Sequence, residues 1–400
     1  MASLSLNLLL LAFFAYLAAT VCFAFSLHRR RNSEEQVMAV TKSGRFGWIL
    51  SVVGLLCALA YFVIRWSVAG HVPVSNMFEY MTFLGMMMSL AFMIIYLIYP
   101  SRADVIGMFA MPTVMLLIVY ASTFSTDISP LVPSLQMPMF LKLHIMTTAL
   151  GQGLLAIGFA AGLAYLIRSL DLRATGWKPR VLEVIMYGLM SLVGYIVITY
   201  MFSGFGYEVS FNYVDQNGEQ AAAPMVYHLP ALIGPNEGQL LTEGALSPWI
   251  SVPGNIVSSD LNSVIWAFFT GFILYWVLRL ILRKRLSLAL QPLLKAVSPQ
   301  SVDELSYRAV AIGFPIFALG GLVFAMIWAQ ISWSRYWGWD PKEVWALVTF
   351  LFYAVYLHLR LSKGWHGEKS AWLCVIGFAI IMFNLVFVNL VIAGLHSYAA

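Results

Sequence analysis

Val310-Ala-Ile-Gly-Phe-Pro-Ile-Phe-Ala-Leu-Gly-Gly-Leu-Val-Phe-Ala-Met-Ile-Trp-Ala-Gln330 runs for 21 residues without a charge. A bilayer core about 30 Å thick needs about 20 such residues in a helix, because each backbone amide must find its partner within the segment. Working outward, nine further stretches of this kind centre on 6–26, 48–66, 77–99, 105–122, 140–167, 183–202, 264–281, 343–361 and 371–393. The expected fold is therefore an all-α polytopic membrane protein of about ten transmembrane helices in the lipid bilayer. Composition agrees: of 400 residues, 61% are hydrophobic and 10% charged, which excludes a water-soluble globule or a disordered chain. Cys22, Cys57 and Cys374 lie inside apolar runs, so neither a disulfide scaffold nor a C-x-x-C-H haem-attachment site is present.

Basic residues set the direction. With Arg29, Arg30 and Arg31 cytoplasmic, alternation of the spans puts 19 of 23 Lys and Arg on that side, leaving Arg65, Lys142, Arg335 and Lys342 outside. The first span reads as a retained anchor, since no basic residue precedes it, and both termini are expected outside. The net charge of +5 is spread through short loops, so no nucleic-acid partner is implied.

Three parts are expected: N-terminal helices over 1–182, a helix pair over 183–283 carrying an outward loop at 203–262, and a C-terminal part over 284–400. The outward loop holds Glu208, Asp215, Glu219, Glu237, Glu243 and Asp260 without one Lys or Arg. Within it, Tyr207 to Val214 alternates in character and ends at Asp215-Gln-Asn-Gly218, a strand-and-turn signal. A small β-rich cap and a solvated linker are both compatible with that pattern.

The long run leads directly into Trp328-Ala-Gln-Ile-Ser-Trp333-Ser-Arg335-Tyr-Trp337-Gly-Trp339-Asp340-Pro-Lys342-Glu343-Val-Trp345, which holds five of the 13 tryptophans. An interfacial aromatic belt would distribute them over all the loops. Their concentration here, beside Arg335, Lys342 and Asp340, suggests a flat aromatic platform formed by Trp333, Trp337 and Trp339 for a large planar ligand. Two histidines fall at the same depth, His144 one turn into the fifth span and His396 just past the tenth. Ionisable groups at membrane depth are functional candidates, and this pair fits bis-imidazole ligation of a haem iron. His358 sits near the cytoplasmic end of the ninth span, where a second haem site competes with a structural hydrogen bond. Arg65, Arg335 and Lys342 are candidate partners for haem propionates, although pairing with Asp340 and Glu343 would shape the loop instead. His71 and Glu79 read as supporting groups around the ligands.

These residues resemble the tryptophan-rich WWD domain of haem-handling proteins. More narrowly, Gly70-His-Val-Pro-Val-Ser-Asn-Met-Phe-Glu79, Leu143-His-Ile and Gly394-Leu-His-Ser-Tyr398 are similar to the CcsA (ResC) family of system II cytochrome c biogenesis. The resemblance implies haem b as substrate and ligand, with His144 and His396 as outer iron ligands and His358 as an inner one. It implies a cytochrome c synthase (haem lyase) component that attaches haem to apocytochrome c with a CcsB/ResB-like membrane subunit and thiol-reducing proteins. It also implies a bacterial inner membrane with the site facing the periplasm, and no covalent nucleophile on this chain. Members usually carry glycine where Ser334 stands and often asparagine where Gln330 stands, and the pair at 183–281 reads as an insertion. A b-type haem electron-transfer or quinol oxidoreductase subunit, a small-molecule transporter and a system I relative are the competing readings.

Overall fold

A computed structural model describes residues 2–31, 41–100, 103–128, 139–215, 217–295 and 297–391. Its helices are α1 (Ala2–Arg31), α2 (Lys42–Ala69), α3 (Met77–Ile98), α4 (Asp104–Ala121), α5 (Phe140–Ser169), α6 (Trp177–Gly204), α7 (Ser258–Leu282), the short α8 (Leu286–Leu290), α9 (Pro299–Ala318), α10 (Ala325–Trp333), α11 (Pro341–Ser362) and α12 (Glu368–Met382). A π-helical turn over Leu319–Phe324 fuses α9 and α10 into one span, Pro299–Trp333, and a second π segment, Phe383–Val391, continues α12. Among the described residues, ten helices are long and apolar enough to cross a membrane. The protein is an all-α, multi-pass membrane protein, as the hydrophobic runs predict.

Local chemistry fixes the helix ends. Thr41 caps α2 by accepting from Gly44 N at 2.9 Å, and the helix stops at Gly70, whose φ of 73° lets its N–H return to Trp66 O. Asn76 caps α3 by accepting from Glu79 N at 2.9 Å. Ser298 followed by Pro299 opens α9.

The chain forms two compact units. The first holds residues up to Pro179 with Ser287–Trp339 and Glu343–Ile381. Small residues let its helices close up, as expected where lipid supplies no hydrophobic drive between helices. Helix α5 lies at the centre: a Cβ on Gly151 would sit 2.6 Å from Phe317 N, and one on Gly162 would sit 3.1 Å from Cys374 Cβ. Gly54 likewise admits the ring of Tyr16 from α1.

The second unit comprises, among the described residues, Arg180–Leu286, Asp340–Lys342 and 382–391. Helices α6 and α7 meet at Gly194 and Gly271, where a Cβ on Gly271 would lie 2.5 Å from Ser191 Cα. Tyr275 donates to Glu183 Oε2 at 2.6 Å, pinning one end of the pair. Between these helices sits a folded cap. Strand β1 (Val209–Asn212) pairs antiparallel with β2 (Met225–Tyr227) and β4 (Gln239–Leu240), and β3 (Ile233–Gly234) pairs parallel with β5 (Ile250–Ser251). Val209, Phe211, Tyr227 and Ala231 form its core. Asp215 makes the predicted turn by accepting from Glu219 N and Asn217 N, and these bonds hold its carboxyl below the ordinary carboxylate range. Burial pushes the Tyr227 phenol up to about 12, while its hydroxyl donates to Ser258 Oγ at the start of α7. The cap, rather than a solvated linker, is what the sequence encodes here.

Candidate haem-handling site

His144 is the fifth residue of α5 and is half-buried. Its Nδ1 lies 2.9 Å from the carbonyl oxygen of Gly320. A carbonyl only accepts, so Nδ1 carries the proton and the lone pair of the neutral ring belongs to Nε2. Metal-ligating histidines are oriented by this kind of bond, which fixes both the tautomer and the plane of the ring. Thr148 Oγ1 stands 3.5 Å from the same nitrogen.

The acceptor exists because of the π turn. Gly320 O also accepts from Ala325 N, five residues on. A side chain at Gly320 would collide with Thr147 and Thr148, so glycine is what brings this carbonyl within reach of α5. Further along the same span, Trp328 lies parallel to the His144 ring, with centroids 6.0 Å apart and planes 7° apart. Trp328, Gly320 and Thr148 thus surround the histidine; Trp328 opens the tryptophan-rich stretch, whereas Gly320 and Thr148 do not stand out in the sequence.

Beyond Trp328 the aromatic rings are not coplanar, which corrects the flat platform expected from composition. Trp333 meets Trp328 edge-on at 4.7 Å and 65°, and Trp337 meets Trp339 at 6.1 Å and 84°. Ring quadrupoles favour such edge-to-face pairs over sandwiches. Helix α10 ends at Ser334 with φ 55°, its N–H donating to Gln330 O. The Arg335 guanidinium then lies across Gly338, where a Cβ would fall 2.8 Å from Cζ, and Gly338 N donates to Glu343 Oε2 at 2.7 Å. Trp337 keeps a buried indole N–H that has no acceptor among the described residues. Trp339 is 71% exposed at φ 56°. Asp340 is buried and accepts from Lys342 N at 3.3 Å, opening α11.

Arg65 and Glu79 form a buried ion pair at 2.6 Å. Arg65 Nη2 also donates to Thr126 O and Asp127 O, and Glu79 Oε2 accepts from both N and Oγ of Ser75. This knot ties α2 and α3 to the segment after α4. Lys142, one residue pair before His144, sets its ammonium 5.5 Å from the Trp66 ring and so places the knot at the same end of the first unit. His71 Nδ1 lies 3.0 Å from Val72 O.

His358 faces away from the core of its unit. Helix α11 buries Thr349, Tyr353, Tyr356 and Arg360, whereas His358 shares the exposed face with Leu351 and Val355. Arg360 grips Asp303 of α9 through two bonds, at 2.7 and 2.8 Å. His396 lies outside the described residues.

Residues 263–396 match the family described as Cytochrome C assembly protein. Relatives named cytochrome c biogenesis protein CcsA are similar over most of the chain. That of Trichormus variabilis is 30% identical over 355 residues, 87% of this chain and 85% of the relative. That of Gloeobacter violaceus is 29% identical over 354 residues, 88% and 83% of the two chains. That of Heterosigma akashiwo is 28% identical over 397 residues, 98% and 94%. Most of α7 falls inside the family match, so the helix pair at 183–281 is not an insertion throughout its length. With the tryptophan stretch, His144 and this near full-length similarity together, the chain belongs to the CcsA family of cytochrome c biogenesis proteins.

Proposed function

We propose that this protein receives haem b at the His144 end of its first unit and presents it for covalent attachment to an apocytochrome c. The carrying observation is the Nδ1–H bond from His144 to Gly320 O, which directs Nε2 as an iron ligand beneath a parallel Trp328 ring. The residues suit haem in other respects. Trp337 offers an N–H donor, Arg335 and Lys342 supply cationic partners for propionates, and the edge-on indoles add apolar walls. His396 is the second outer ligand in this reading.

The chemistry is an addition. Each thiol of a C-x-x-C-H motif adds across a haem vinyl group, its sulfur bonding to one carbon and its hydrogen ending on the other, with no net oxidation. The chain's part is to hold the haem, exclude water and keep the iron six-coordinate until the histidine of the substrate replaces one ligand. Cys374 lies inside the helices, 3.1 Å from Ser306 Oγ, and in this reading the chain supplies no covalent nucleophile. A CcsB/ResB-like subunit is the proposed partner and covers the His358 face, supplying the other ligand of an inner site. Thiol-reducing proteins keep the substrate cysteines reduced. The setting is the bacterial inner membrane, with the tryptophan stretch facing the periplasm, as the distribution of basic residues implies.

The test is spectroscopic. Haem on the purified protein is expected to show a low-spin bis-imidazole spectrum that His144→Gly abolishes and added imidazole restores. An unaltered spectrum in either His144→Gly or His396→Gly would remove the assignment.

A further inference from the structure

Leu241, Leu246, Trp249 and Ile250 of the cap are 48%, 77%, 83% and 64% exposed, within ten residues of chain. None belongs to the cap core, which closes around Val209, Phe211, Tyr227 and Ala231. The backbone beneath them is held firmly all the same. Trp249 N donates to Leu232 O at 3.0 Å, Val252 N to Gly234 O at 3.1 Å, and Gly234 leaves room for Pro248. Strand β5 pairs with β3 alone among the described strands, and both its residues are exposed, so it is a sheet edge as well as an apolar surface.

Charge identifies what fits this surface. Glu208, Glu219, Glu237 and Glu243 are exposed on the same cap, and 203–262 contains no Lys or Arg. Asp215 is occupied in its own turn. An apolar patch that docks on an anionic lipid surface ordinarily carries Lys or Arg beside its aromatic residues. Four carboxylates do the opposite. They favour a partner that is both cationic and apolar, and a free sheet edge favours one that is extended.

We propose that the Leu241 to Ser251 stretch of the cap, together with the exposed glutamates of the same cap, docks an extended polypeptide segment rich in basic and apolar residues. This rests on the function proposed above: the segment belongs to the apocytochrome, a chain that lacks the haem its core requires and therefore remains unfolded. Four side chains make a small contact, so the interaction is weak, fast and salt-sensitive, as suits a chain that must be released once modified.

The experiment uses the full-length protein in detergent and a fluorescent 20-residue peptide of alternating Lys and Leu, with a Glu and Leu peptide as control. The Lys peptide is expected to bind, the Glu peptide not. Binding should weaken by about threefold or more in Trp249→Ser and in the joint E208Q, E219Q, E237Q, E243Q variant, and fall further as salt is raised. Trp249 is a surface residue, so its variant folds, and an unchanged haem spectrum verifies that. Equal binding of both peptides, or full binding by both variants, overturns the docking surface. A benzoyl-phenylalanine at position 249 then reports the source in membranes. Crosslinking to a co-expressed apocytochrome supports the proposal, and crosslinking to lipid alone overturns it. Failure of the haem assignment would appear separately, as a His144→Gly protein with an unaltered spectrum and intact peptide binding.

Discussion

Ser334 ends α10 at φ 55°, in the left-handed region that costs a residue with a Cβ about 1 kcal/mol or more. The CcsA resemblance expects glycine there, and the backbone explains why. Ser334→Gly should raise the thermal midpoint, by an amount equivalent to about 0.5–1 kcal/mol, and Ser334→Val should lower it, both read by a thermal shift on detergent-solubilised protein. The same scale shows what a sequence exposes and what it hides. His144 is legible because ionisable residues are scarce in an apolar chain, so each is conspicuous. Its acceptor is not legible, since the carbonyl of Gly320 is a backbone group that any residue possesses and only a local departure from α-helix frees. Arg65 reads equally well as a propionate partner or a supporting group until Glu79 is found 2.6 Å away.

At the scale of elements, α6 and α7 depend on closeness. Gly194 and Gly271 face one another with no room for a side chain on either, and a leucine at 271 would drive the helices apart against Ser191. Gly271→Leu is expected to cost about 1–3 kcal/mol through overpacking and to break the Tyr275 to Glu183 hydrogen bond. Protease nicking of the cap, measured on intact protein, should accelerate as a result. Hydropathy located all ten spans, because length and apolarity are enough to define a bilayer crossing. Of the cap it showed only β1 and its turn. The remaining strands are two or three residues long, too short to display alternation, and are held by pairings distant in sequence such as Ile233 with Ile250. The π segments are invisible for a related reason: they change the hydrogen-bond pattern without changing the composition.

Over the whole molecule, the few charges report direction. If the 19 basic residues counted above lie at the cytoplasmic side, the cap and the Arg283 to Arg285 turn face opposite compartments. A membrane-impermeant maleimide should therefore label Asn217→Cys in intact cells and Lys284→Cys only after lysis. Labelling of both, or the reverse order, would invert the proposed topology. The background should be low, because Cys374 is buried and Cys22 and Cys57 sit within apolar spans. The π turn between α9 and α10 has a consequence for angular phase. From Gly320 to Trp328 is eight residues, two full turns and about 80° of an undisturbed α-helix, so a regular helix offering Gly320 to α5 would carry Trp328 round its flank. The wider turn absorbs about one residue, which leaves an offset of about 20° in the opposite sense and returns the indole to the side where His144 stands. The number of residues between those two positions is thus as much a part of the site as their identity.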